Sequence, residues 1–127
     1  MITVYPNLSK LIELHNEARN SGWLSKAKPL ERHEDLMIYA QKWADHMAKT
    51  SLLTHSNMKD IMHLGFSGAA ENIAYGQETE DGVVRTWMRS YGHKRNIMNK
   101  SMTHIGCGFS YSSKDVIYWC VCFGKLK

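Results

Sequence analysis

Three residues of this chain combine the right chemistry with the right surroundings to act on something: His55, Glu71 and His93. His55 lies in Thr54-His55-Ser56-Asn57, a run that favours turns and caps, and His93 follows Gly92. Each imidazole therefore sits at a break in periodicity, where a rigid scaffold can expose a functional side chain. Glu71 stands between Ala69-Ala70 and Asn72-Ile73, an apolar neighbourhood in which a carboxylate needs a donor or a cation beside it. Two imidazoles and a carboxylate can hold a divalent transition metal such as zinc, or exchange protons with a substrate. By spacing alone the signal is weak, because the chain contains no HExxH, no Cys-x-x-Cys and no nucleophile elbow. Ser90, three residues before His93, could meet it as a nucleophile and its base, but no oxyanion-hole pattern accompanies the pair.

The remaining histidines and the cysteines read as bystanders. Of the seven histidines, His33 and His46 fall on polar positions and are expected at the surface, and His63 has no evident partner. His15 lies on the apolar side of a helix and is expected as a hydrogen-bonded core histidine, while His104 opens a strand. Cys107, Cys120 and Cys122 are an odd number of thiols. A hairpin turning about Ser112-Ser113-Lys114-Asp115 would set Cys107 roughly opposite Cys120, where a bridge could form. The alternative is that all three are small buried hydrophobes, reduced in the folded chain.

The elements that must hold these groups follow from periodicity. Leu8, Leu11, Ile12, His15 and Ala18 are spaced as one helix face, ended by Ser21-Gly22. Glu34 and Asp35 open a second helix, whose Leu36, Tyr39, Ala40, Trp43, Ala44 and Met47 form an uninterrupted apolar stripe. A short helix is predicted over 58–64, an irregular or short extended piece over 68–76, a helix capped by Thr79 and stopped by Gly92, and a helical turn over 93–98. Residues 104–111 and 116–123 carry strand patterns. Helices come first and clear strands late, so the class is α+β.

Composition narrows the functions. With 127 residues, 43% hydrophobic and 22% charged, the chain has the makeup of one ordinary globular domain spanning 1–127, without repeat or linker. A net charge of +4 is spread along the sequence with no basic stripe between aromatics, so nucleic acid is not an expected partner. No stretch has the ~20 apolar residues of a membrane span, and the start, Met1-Ile2-Thr3-Val4-Tyr5-Pro6, has no basic segment followed by an apolar one.

Several ordered motifs together resemble the CAP superfamily, which unites cysteine-rich secretory proteins, antigen 5 and pathogenesis-related 1 proteins and is built on the SCP domain. They are His15-Asn16-Glu17-Ala18-Arg19, Ala40-Gln41-Lys42-Trp43-Ala44, Leu53-Thr54-His55-Ser56 and Ala70-Glu71-Asn72-Ile73-Ala74. Trp87 through Met98, with its Ser90-Tyr91-Gly92-His93, is similar to the bacterial-type branch, and His104-Ile105-Gly106-Cys107-Gly108 and Tyr118-Trp119 supply the closing strands. The resemblance implies a three-layer α-β-α sandwich with a small, mainly antiparallel central sheet, and a cleft formed by His55, Glu71, Ser90 and His93. It further implies that His55 and His93 can take zinc, with no cofactor required. Where many eukaryotic members carry a second glutamate this chain has Ser90, which leaves one carboxylate and weakens a four-residue site. The resemblance points to a binding module for a ligand, peptide, or envelope or lipid component, with turnover not expected, extracellular, and monomeric or weakly dimeric. The alternative it implies is a zinc-assisted, peptidase-like hydrolase with Glu71 as base.

Overall fold

A computed structural model describes residues 4–22 and 26–127. Met1, Ile2 and Thr3, which belong to the chain start read above for a secretion signal, lie outside the described residues. The first helix, α1 (Leu8–Arg19), begins where the Asn7 side chain accepts a hydrogen bond from the Lys10 backbone N–H at 3.0 Å. After the two-residue strand β1 (Glu31–Arg32), α2 (Glu34–Thr50) starts on the acids expected for it and ends at Ser51 in the left-handed region, φ 55°. Next come α3 (Met58–Met62), β2 (Phe66–Tyr75), and α4 (Glu80–Met88), whose first turn is capped by the Thr79 hydroxyl. Then α5 (Tyr91–Ile97) leads into the hairpin of β3 (His104–Tyr111) and β4 (Ile117–Leu126).

The four strands form one sheet in the order β1-β3-β4-β2, antiparallel except for the β1–β3 pair. Strand β4 is buried on both faces, and its side chains alternate between two cores as the period of two requires. Ile117, Trp119, Val121 and Phe123 pack with Leu11, Ile12, Val84, Trp87 and Ile97 on the side of α1, α4 and α5. Tyr118, Cys120 and Cys122 pack with Leu36, Ala40, Ala44, Met47 and Ile61 on the side of α2 and α3. This is a three-layer α-β-α sandwich. Helix α2 lies close on β3 because Gly106 and Gly108 have no side chain: a Cβ on Gly106 would land on the Leu36 backbone, and one on Gly108 on the Gln41 backbone.

Several expectations need correction. Gly92, expected to stop the helix capped by Thr79, lies inside α5: α4 already ends at Met88, and α5 starts at Tyr91 behind Ser90, two residues before the predicted turn. The segment expected as a short or irregular piece is the ten-residue strand β2, paired with β4 almost throughout. The hairpin loop is one residue longer than the predicted turn, with Asp115 at φ 60°, so Cys107 pairs with Val121 and Gly108 with Cys120. A slip of one residue reverses the face a side chain occupies. Cys107 therefore lies in the α1-side core, Cys120 and Cys122 in the other, and all three thiols are free. His33 is not a plain surface residue: it is half-buried, edge-on to Phe66 and to His104, and its Nδ1 is buried without a hydrogen-bond partner. His46 is exposed as expected, His63 is exposed too, and His15 is fully buried.

Candidate functional site

Strand β2 is an edge of the sheet, and an edge strand leaves carbonyls facing away from its neighbour. Side chains from the flanking helices meet them. The Trp87 indole N–H donates to the Ile73 carbonyl at 3.1 Å, and Asn96 Nδ2 donates to the Glu71 carbonyl at 3.3 Å. Asn96 also donates to Asn72 Oδ1 at 2.8 Å, and Asn72 Nδ2 donates to the His93 carbonyl at 3.0 Å. This amide chain ties α5 to the strand carrying Glu71, so His93 is held at a fixed distance from it.

Glu71 is buried, and both its oxygens are occupied. Oε1 accepts from His55 Nδ1 at 2.9 Å and from the Ser56 backbone N–H at 2.9 Å. Oε2 accepts from the Ser56 hydroxyl at 2.5 Å and lies 3.7 and 3.8 Å from the thiols of Cys120 and Cys122. The donors that the apolar neighbourhood demanded are thus supplied by the loop between α2 and α3. A carboxylate can only accept, so His55 must present N–H at Nδ1 and, when neutral, a lone pair at Nε2. The His55 side chain is 60% exposed, whereas that of Glu71 is 1% exposed: the acid is the buried anchor and the imidazole the accessible group.

His93 is held in a parallel way, with Nδ1 at 2.9 Å from the Ser90 hydroxyl at the head of α5. Burial lowers its pKa below the ordinary histidine value, and the nearby His55 imidazole lowers it further. Among the hydrogen bonds of the described residues, none engages Nε2 of either ring. Tyr39 of α2 backs the site: its hydroxyl donates to the Asn57 carbonyl at 3.3 Å, and burial pushes its pKa up to about 12, so it stays protonated at neutral pH. An open depression of about 280 Å³ is lined by His55, Met58, Ala69, Ala70, Glu71 and Asn96. A larger depression of about 580 Å³ lies near Tyr5 and Tyr111, but its charged residues are mostly exposed and solvated. Organised polar groups, not volume, mark the candidate site.

The family model of the cysteine-rich secretory protein family, CAP, matches residues 12–123. The chain belongs to the CAP family. A curated relative, the uncharacterized protein YkwD of Bacillus subtilis, is 35% identical over 108 residues, which are 79% of this CAP chain and 41% of YkwD. The uncharacterized membrane protein YlbC of the same organism is 28% identical over 107 residues, 78% of this chain and 30% of YlbC. The chain thus spans less than half the length of either. Among solved structures, an outer surface protein of Borrelia burgdorferi superposes with a TM-score of 0.83 at 24% identity, covering 94% of this chain and 92% of that one. NaASP2, solved with Zn2+, superposes with a TM-score of 0.71 at 16% identity, covering 94% and 79%. At these identities the two structures speak for the shared fold.

Every residue expected in the CAP cleft lies at or beside the edge of β2, in two hydrogen-bonded pairs: Glu71 with His55, and His93 with Ser90. The sequence did not single out Ser56, which gives Glu71 two hydrogen bonds, or Cys120 and Cys122, which lie against its second oxygen. Ser56 sits beside His55 in the same turn-forming run, the one signal that could have indicated it. The cysteines carried no such signal, because their approach to Glu71 depends on the pairing of β2 with β4.

Proposed function

We propose that this CAP domain is a binding module whose cleft along β2 receives a peptide side chain or the headgroup of an envelope or lipid component. The observation that carries this reading is the state of Glu71: its oxygens are filled by His55, Ser56 and two thiols, so it acts as an anchor that orients His55. The two imidazoles then offer a pair of Nε2 atoms to a ligand. Zinc fits this donor set, with His55 and His93 as its protein ligands, and the carboxylate behind His55 is the usual second partner of a zinc-bound imidazole. When bound, zinc would supply a Lewis-acid centre and leave positions for water or a ligand group. Zn2+ in the solved structure of NaASP2 favours keeping zinc in the reading.

A zinc-assisted hydrolase with Glu71 as base needs a carboxylate oxygen facing water, and the occupancy of both oxygens supports that role less well. The test pairs binding with turnover. Amide spectra of the chain, titrated with a peptide pool and separately with phospholipid vesicles, are expected to shift at His55, Glu71 and Asn96 while the added molecules stay intact. Cleavage of peptides or esters that Glu71→Gln abolishes would contradict the binding reading and establish the hydrolase.

A further inference from the structure

Cys120 and Cys122 are two residues apart on β4, so both side chains leave the same face of the sheet. Glu71 pairs with Cys122 across the β2–β4 ladder and shares that face. Three donor atoms meet there: the two Sγ atoms are 3.7 Å apart, and Glu71 Oε2 is 3.7 Å from one and 3.8 Å from the other. The centre of such a nearly equilateral triangle lies one side divided by √3, about 2.2 Å, from each corner, close to the Zn–S and Zn–O bond lengths of about 2.3 and 2.0–2.2 Å. Among the described residues this is the one group of three or more His, Cys, Asp or Glu whose ligand atoms all lie within 4.8 Å. The surrounding Leu36, Ala40, Ala44 and Ile61 are wholly apolar, so the three polar atoms are a local exception in that core.

We propose that Glu71, Cys120 and Cys122 form a buried site for a thiophilic divalent cation, zinc above all, separate from the histidine pair of the cleft. Two thiolates select zinc over magnesium or calcium, which prefer oxygen. Loading is an exchange without oxidation: hydrated zinc sheds waters as two S–H bonds break, two zinc–sulfur bonds and one zinc–oxygen bond form in place of zinc–water bonds, and two protons pass to solvent. Zn2+ with two thiolates and one carboxylate leaves a net charge of −1, which the donors from His55 and the Ser56 backbone to Oε1 help to disperse. The Ser56 hydroxyl, 2.5 Å from Oε2, is an oxygen beside the cluster that could take a fourth position. Both sulfurs are fully buried, so the cation enters as the chain folds. The cluster meets the cleft at Glu71 and Ser56, and the proposal does not depend on what the cleft binds.

The test refolds the full chain under reducing conditions with Zn2+, and in parallel with Co2+ as a spectroscopic probe. The expected results are sulfur neighbours of zinc in X-ray absorption and a thiolate-to-cobalt charge-transfer band. Cys120→Ala and Cys122→Ala are each expected to remove most of the band, while Cys107→Ala and His93→Ala retain it. No uptake, only nitrogen and oxygen neighbours of zinc in the folded wild-type chain, or a band that follows Cys107 would overturn the proposal. The X-ray absorption result on the wild-type chain decides even where a cysteine variant fails to fold.

Discussion

His15 and Arg19 show how far a polar side chain can be drawn into this core when its surroundings fix its state. His15 Nδ1 donates to the Leu11 carbonyl at 2.8 Å, and Nε2 is buried without a partner, so a second proton would add a charge with no acceptor near it. Burial, opposed in part by that hydrogen bond and reinforced by Arg19, lowers its pKa to about 4. Between about 6.5 and 4 the unfolded chain takes up a proton at this position and the folded chain does not. Stability is therefore lost as pH falls through that window, by about 3 kcal/mol once both states are protonated. Urea denaturation at a series of pH values is expected to reveal this slope, and His15→Gln to remove most of it; an unchanged slope in the variant would assign it to other groups. Arg19, also fully buried, donates to the carbonyls of Lys28, Ile97 and Asn99 at 2.7 to 2.9 Å, which joins the end of α1 to the loop before β1 and to the end of α5 and the turn beyond it. The sequence makes His15 legible through its place on a helix face. Helical spacing sets Arg19 on the same face, four residues after His15, but nothing local announces its partners, which are backbone atoms from distant segments.

At the scale of elements, local rules sufficed where the chain pairs with itself nearby. The starts of α1, α2 and α4 follow from Asn7, Glu34-Asp35 and Thr79, residues that satisfy or favour free helix N-termini. They failed where pairing is remote. Alanine, glycine, glutamate and asparagine are poor strand formers, yet Gly68–Asn72 is strand because β4 supplies the ladder and Asn96 and Trp87 satisfy the outer carbonyls. Strand β1, two residues long, has no pattern to read and exists through its parallel pairing with His104 and Ile105. The alternating glycines of β3 are legible as a motif, but their reason is the contact of α2. Gly106→Ala is therefore expected to cost about 2–3 kcal/mol, as overpacking against backbone does, whereas Gly92→Ala, with open space at its Cβ, should be near neutral. Thermal or urea melts of the two variants check this, and equal melts would contradict the close approach.

For the whole molecule, the sandwich brings three segments far apart in sequence to one sheet edge. The α2–α3 loop delivers His55 and Ser56, β2 delivers Glu71, and α5 delivers His93 and Ser90. The candidate residues were legible because they interrupt the periodic pattern and match an ordered set of family motifs. Their roles were not, since whether Glu71 faces water or anchors a ring depends on which atoms fill its two oxygens. The central claim is that Glu71 fixes His55 with its proton on Nδ1 and its Nε2 lone pair toward the cleft. Long-range proton–nitrogen spectra of the imidazoles, recorded at a pH where His55 is neutral, test this most directly. The expected result is a dominant Nδ1–H tautomer for His55, lost in Glu71→Ala; a dominant Nε2–H tautomer, or averaging like that of a free imidazole, in the wild-type chain would contradict it.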